Sequence, residues 1–314
     1  AMLQSALLLL SICAGTVLNT YIPFKVFRDY KLHRSPYYFL VNLSISGLLR
    51  STLCLPVILD TVLHSSVWRH NHSVCKLTAF IWTLLVFAGL FGYFVVALDR
   101  YVAILNQRCH ARNFHGYKCL GPIVTAWLTA FLLALPPVND LGTYAFDPVQ
   151  GQCTFKHVYH TDNDTLAFTA VFVVTLIFIL CIYYRVFLFL RTHRKMAPVR
   201  HRALRSTNWT FNLHRADQFP LDDRAEPADQ AVTVAPAFNN TARGPAIITR
   251  LESLTARNEH LTRTAFCSFV AYVLAWLPYT IVSVWSMFDL NGTLPWLLVT
   301  IATWMTYCEV VLMP

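Results

Sequence analysis

Three groups of side chains in this 314-residue chain are of types and spacings that do chemistry. Asp99, Arg100 and Tyr101 form an acid–arginine–tyrosine triplet where an uncharged apolar run, Leu77 to about Leu98, comes to its end. A carboxylate beside a guanidinium at such a boundary can hold the cation and release it, which is the chemistry of an electrostatic switch. Arg50 and Glu309 each lie inside an apolar stretch, where a charge at helix centre costs roughly 3 kcal/mol and so calls for a partner, a proton or a route to water. Cys75 and Cys153 are thiols that pair if both face an oxidising compartment. His70 and His72 have the right side chains for a metal, but no Asp or Glu lies near them in the sequence and the one adjacent thiol is Cys75, so no metal is expected. Neither a Gly-rich phosphate loop nor a nucleophile–base arrangement occurs, and neither enzymatic activity nor a cofactor is expected.

The elements that must position these groups follow from composition. Hydrophobic residues make up 56% and charged residues 13%, against about a quarter charged in soluble domains. The chain reads as an all-α, polytopic membrane protein with seven spans: about 2–24, 37–60, 77–98, 120–138, 166–190, 261–287 and 294–314. A run of this length crosses a ~30 Å hydrocarbon core at 1.5 Å per residue. The organisation expected is spans one to five with short loops over 1–190, a long and largely disordered polar segment over 191–259, and spans six and seven over 260–314, all of one seven-helix bundle. Helical extensions of spans five and six are expected at the ends of the polar segment. Both termini fall in or beside apolar runs, so the chain reads as trimmed at both ends.

Positive charge sets the orientation. The segments after spans one, three and five hold 21 of the 25 Lys and Arg residues, with Arg185 and Arg263 at the edges of the last counted in. These segments are therefore cytoplasmic and the N-terminus is outside. The net charge of +9 is then a topology signal beside the lipid bilayer, and no nucleic-acid partner is expected. In this orientation Cys75 and Cys153 lie outside and should form a disulfide, while the other seven cysteines lie in spans or in the cytosol. The sequons at Asn71, Asn163 and Asn291 fall in outer loops and are candidate glycosylation sites; those at Asn42, Asn208 and Asn239 should be unused.

Seven spans, Cys75 with Cys153, Asp99-Arg100-Tyr101, Trp127, and Trp276-Leu277-Pro278 together resemble the rhodopsin-like (class A) G protein-coupled receptors. Runs at loop edges narrow the resemblance to the orphan subgroup of super-conserved receptors expressed in brain: Leu32 to Phe39, Pro136 to Phe146, Gln152 to Phe155, Arg194 to Met196 and Asn208 to Phe211. The resemblance implies a multi-pass receptor of the plasma membrane that carries an extracellular signal to a heterotrimeric G protein. It implies that Arg100 is held at rest by Asp99 and Glu259, and swings on activation toward Tyr183 and the G protein. Trp276 and Pro278 would be toggle and hinge, since a proline removes a backbone hydrogen bond and kinks its helix. Trp82, Tyr279 and Tyr307 would line a ligand pocket, within a wider aromatic set of Phe87, Tyr93, Trp276, Trp285 and Trp304.

The chain departs from that family at two places. Gly47 stands where a sodium-coordinating aspartate is usual, and Met313 where an asparagine precedes the proline of span seven. Glu309 lies one turn before Met313, and Arg50 nearly one turn beyond Gly47. The expectation is that the pocket's negative charge has moved to Glu309 and is neutralised by Arg50 or by a proton. Trp82 stands where amine receptors carry an aspartate, so that position offers no carboxylate to hold an ammonium group. No lysine follows Arg263, which excludes a retinal Schiff base in span seven. Two other functions compete with the receptor reading. One is a receptor-shaped membrane protein that works by interaction without G protein signalling. The other is a transporter or channel, which needs polar groups along one pathway; Arg50, Asp60 and Glu309 are the candidates for one.

Overall fold

The computed structural model describes residues 2–114, 116–139, 144–155, 164–214, 243–288 and 295–312; the side chains of its two longest helices are described over 166–192 and 256–286. Helix α1, Met2–Arg28, leads through a short 3₁₀ turn to α2, Ser35–Leu49. Pro36 sits in the first turn of α2, where the missing N–H would have no intrahelical partner. A π-helical turn, Arg50–Cys54, joins α2 to α3, Leu55–Leu63, so span two is one helix with a wide turn at its middle. Helix α4, His72–Leu105, is span three. Asn71 caps it by accepting from Val74 N at 2.9 Å, and Asn106 ends it and caps the short α5, Gln107–Asn113.

Helix α6, Leu120–Ala134, is span four and gives way to a 3₁₀ turn at Pro136–Asn139, where two successive prolines cannot continue an α-helix. A hairpin comes next, β1 Tyr144–Asp147 and β2 Gln152–Phe155, antiparallel with Phe146 opposite Cys153. Helices α7, Asp164–His214, and α8, Arg243–Phe288, contain spans five and six; α9, Trp296–Leu312, is the shorter apolar seventh. The centre of the expected polar segment, 215–242, lies outside the described residues. Residues 1–185 with 262–314 form one compact unit, and 186–261, which takes in the second half of α7 and the first part of α8, a second.

Within the first unit, α4 is the axial helix. Its apolar window is 72% buried, against 22% for span one and 22% for span four. The difference comes from sequence: α4 carries small and apolar residues on every face, whereas α1 and α6 turn Leu10, Val17, Leu128 and Leu132 outward to a lipid solvent. The Cys75–Cys153 disulfide ties the hairpin to the outer end of α4, with Cα atoms 5.5 Å apart. Around it pack Ala79, Tyr144 and Phe155, flanked by Trp68, Phe80, Phe146 and Phe168.

Candidate coupling and ligand sites

At the inner end of α4, Asp99 is fully buried and uses both carboxylate oxygens. Arg100 Nε donates to Asp99 Oδ2 at 2.9 Å, and Arg100 Nη2 also contacts that oxygen. Oδ1 accepts from Ser35 Oγ at 2.5 Å and pairs with His110 Nε2 at 2.7 Å. Ser35 is the first residue of α2 and His110 lies on α5, so three elements meet on one carboxylate. The His110 ring stacks on Phe114, centroids 5.3 Å apart, and Phe114 meets Phe39 edge-on. Hydrogen bonds to an ionised acceptor are short and strong, and together they fix the Asp99 rotamer. Arg100 is the expected partner; Ser35 and His110 carry no sequence signal, being 64 and 11 residues away. Tyr101 is half-buried beside them.

Tyr183 of α7 is buried, edge-on to Phe266 at 5.1 Å and stacked on Phe269 at 5.8 Å. Glu259 is half-buried on α8, in the second unit. Trp276 is buried against Phe172 at 5.2 Å and Tyr279 at 5.8 Å, and Pro278 lies inside α8.

In the middle of the bundle, Arg50 Nη1 stands 2.6 Å from Glu309 Oε2, with side-chain exposures of 0% and 1%. The pair joins span two to span seven. Gly47 has no room for a side chain: a Cβ there would meet Asn19 Oδ1 at 2.6 Å. Asn19 Nδ2 in turn donates to Gly15 O at 2.8 Å and Val310 O at 3.0 Å, which ties α1 to α9. Asn19 thus fills the space that a longer residue 47 would need. Met313 lies outside the described residues. Trp127 of α6 donates to Asn42 Oδ1 at 2.8 Å, so the sequon at Asn42 is buried in the bundle.

Toward the outside, Trp82 is buried and lies edge-on to Tyr307 at 5.5 Å. Tyr307 Oη donates to Gln150 O of the hairpin turn at 2.8 Å. Thr61 Oγ1 donates to Gly151 O at 2.5 Å. Tyr279 is half-buried beside Trp276. The wider aromatic set divides. Phe87 packs on Phe168, Tyr93 Oη meets Ser268 Oγ at 3.2 Å, and Trp304 contacts Tyr307. Trp285 is 50% exposed on α8, so it does not line the pocket; it lies on the outer face because its helical phase differs from that of Trp276.

Two outer-loop expectations change or gain a second role. A carboxylate does lie near His70: Asp60 Oδ2 of span two is 3.6 Å from His70 Nε2, brought there by folding rather than by sequence proximity. No group of three metal-ligating side chains forms among the described residues. Asn71 is exposed and also serves as the cap of α4, while Asn163 and Asn291 lie outside the described residues.

The architecture is that of a seven-helix receptor, and comparison with known proteins gives the family. Residues 18–314 match the family described as "7 transmembrane receptor (rhodopsin family)". The chain belongs to that family and is a multi-pass protein of the plasma membrane with its N-terminus outside. It is 30% identical over 316 residues to probable G-protein coupled receptor 173 of Bos taurus, covering 100% of this chain and 85% of that protein. It is 30% identical to probable G protein-coupled receptor 85 of Danio rerio, covering 90% and 76%, and 26% identical to probable G-protein coupled receptor 27 of Homo sapiens, covering 98% and 83%. These relatives are the super-conserved receptors expressed in brain, the subgroup that the loop-edge runs resemble. The fold is shared with squid rhodopsin, at a TM-score of 0.73 and 15% identity over 98% of this chain and 78% of that one.

Proposed function

We propose that this chain passes a signal from an extracellular ligand to a heterotrimeric G protein at the cytoplasmic ends of its spans. The observation that carries the reading is the closed ionic contact at the inner end of α4. Arg100 is 2% exposed and doubly engaged by Asp99, whose other oxygen is held by Ser35 and His110. Activation releases Arg100 toward Tyr183 and the G protein. Trp276 repacks and α8 bends at Pro278, where one backbone hydrogen bond is missing.

The test is basal activation of a panel of Gα subunits by the full-length protein, beside Arg100→Ala at matched surface expression. Activity that disappears in the variant is expected, and the responding subunit names the partner. A second reading has an observation of its own. The Arg50–Glu309 pair and the Asn19 packing over Gly47 replace the usual inner pocket, which favours a receptor-shaped protein acting through contact with another membrane protein. Silence of the parent across the whole panel, with the protein at the surface, would favour that second reading.

A further inference from the structure

We propose that the end of the outer hairpin's turn and the start of β2, Gln150–Thr154, is the resident occupant of this receptor's ligand pocket and holds the bundle closed. The inhibitory sense rests on the coupling function proposed above; the occupancy does not.

Two of the three residues expected to line a ligand pocket, Tyr307 and Trp82, meet this one segment. Tyr307 donates to the Gln150 carbonyl. Trp82 borders, together with Gln152 and Cys153, a cavity of about 40 Å³. The segment is also buried far beyond what an exposed loop requires. Gln150 is 6% exposed, Gln152 6% and Thr154 4%. Connecting segments ordinarily run over the surface, where water satisfies their polar groups. Here the protein satisfies them: Gln152 Nε2 donates to Gln150 Oε1 at 3.3 Å, and the carbonyls of Gln150 and Gly151 accept from spans seven and two.

The turn is built for this seat. Gly151 has φ +68°, in the left-handed region, and a Cβ there would lie 3.5 Å from Val62 Cγ2 and 3.7 Å from Thr61 Oγ1. A side chain at 151 would be strained by that backbone conformation, although the space beside span two would admit its Cβ. The disulfide from Cys153 to Cys75 holds the segment over span three. Being covalently tethered, the turn competes with any free ligand at a high effective concentration. What it presents is a peptide: two backbone carbonyls that accept from a tyrosine and a threonine hydroxyl. A displacing ligand must offer acceptors to the same hydroxyls, which fits a peptide or another amide-bearing molecule.

The sense of the effect comes from the rest of the molecule. With the turn seated on spans two, three and seven, Arg100 is closed on Asp99. A ligand shifts an equilibrium toward the state it binds better, and an intramolecular one obeys the same rule.

The experiment removes both hydroxyls that hold the turn, Thr61→Val with Tyr307→Phe, in the full-length protein at matched surface expression. Thr303→Cys serves as reporter: it is buried on α9, one turn outward of Tyr307. Its reaction with a membrane-impermeant methanethiosulfonate is measured against the same protein without the added cysteine. Losing two buried hydrogen bonds should speed this reaction about ten-fold. Thr61→Ser, which keeps its hydroxyl, should react at the parent rate. Spin labels at positions 108 and 263 should report a longer distance in the double variant. An unchanged reaction rate overturns the occupancy. A faster rate with an unchanged or shorter 108–263 distance overturns the inhibitory sense. Both structural responses with a silent Gα panel support the occupancy and the closed bundle, and overturn the coupling function and with it the inhibitory sense.

Discussion

Asp99 takes bonds from Arg100, Ser35 and His110, and of these His110 is the one whose removal can be made nearly isosteric. His110→Phe keeps a ring stacked on Phe114 and removes the bond to the carboxylate. The expected outcome is a roughly ten-fold rise in basal Gα activation at matched surface expression, since a hydrogen bond to a charged group is worth about 1.5–3 kcal/mol. Unchanged basal activity would show His110 to be a bystander. The Arg50–Glu309 pair makes a different prediction. Glu309→Gln leaves a fully buried guanidinium without its carboxylate, which costs about 3–5 kcal/mol. The melting temperature in detergent should fall steeply. Arg50→Met combined with Glu309→Gln should recover most of that loss, because a buried pair replaced by matched uncharged groups is near neutral. A double variant as unstable as the single one would mean the two side chains are held by other groups.

At the scale of elements, the π-helical turn at Arg50–Cys54 and the proline in α8 each alter one helix where two spans must meet. A π turn carries one residue more than an α turn, so it rotates the faces of α3 about the helix axis relative to those of α2. Arg50 opens this turn and faces Glu309, while Cys54 and Ile58 beyond it border the cavity beside the hairpin. The turn has one signal in sequence, Pro56 just beyond it, whose missing N–H cannot bond the carbonyl of Thr52; the partner of Arg50 carries none, lying 259 residues away. Pro278→Ala restores the missing backbone hydrogen bond of α8 and should straighten it. Surface expression should hold while agonist-independent coupling falls, measured on the same Gα panel; coupling at the parent level would make Pro278 a static kink.

At the scale of the molecule, the outer hairpin is joined to the bundle through the disulfide and through the carbonyls of its turn. Cys75→Ser and Cys153→Ser should each lower surface expression, and the double variant should be no worse than either single one. Additive losses would mean that the two thiols stabilise the fold separately. The transporter reading is decided at this scale too. Arg50 and Glu309 are consumed by each other, and Asp60 lies at the outer end of span two beside His64 and His70. Substituted-cysteine accessibility along spans two and seven should therefore show no continuous aqueous path.

Much of this was readable in the chain. Seven apolar runs, the asymmetry of Lys and Arg, and two outward-facing cysteines dictate a bundle, its orientation and its covalent tie, because lipid accepts helices that satisfy their own backbone and few charges. Asp99 beside Arg100 was legible for the same reason, the two being neighbours in sequence. Tertiary packing decided the rest. Ser35 and His110 reach Asp99 through the relative placement of three helices, and Asn19 comes over Gly47 because α1 and α9 meet there. The seating of Gln150 and Gly151 beneath the mouth of the bundle depends on backbone carbonyls. Every residue has one, so no residue type could announce that these two would accept bonds from Tyr307 and Thr61.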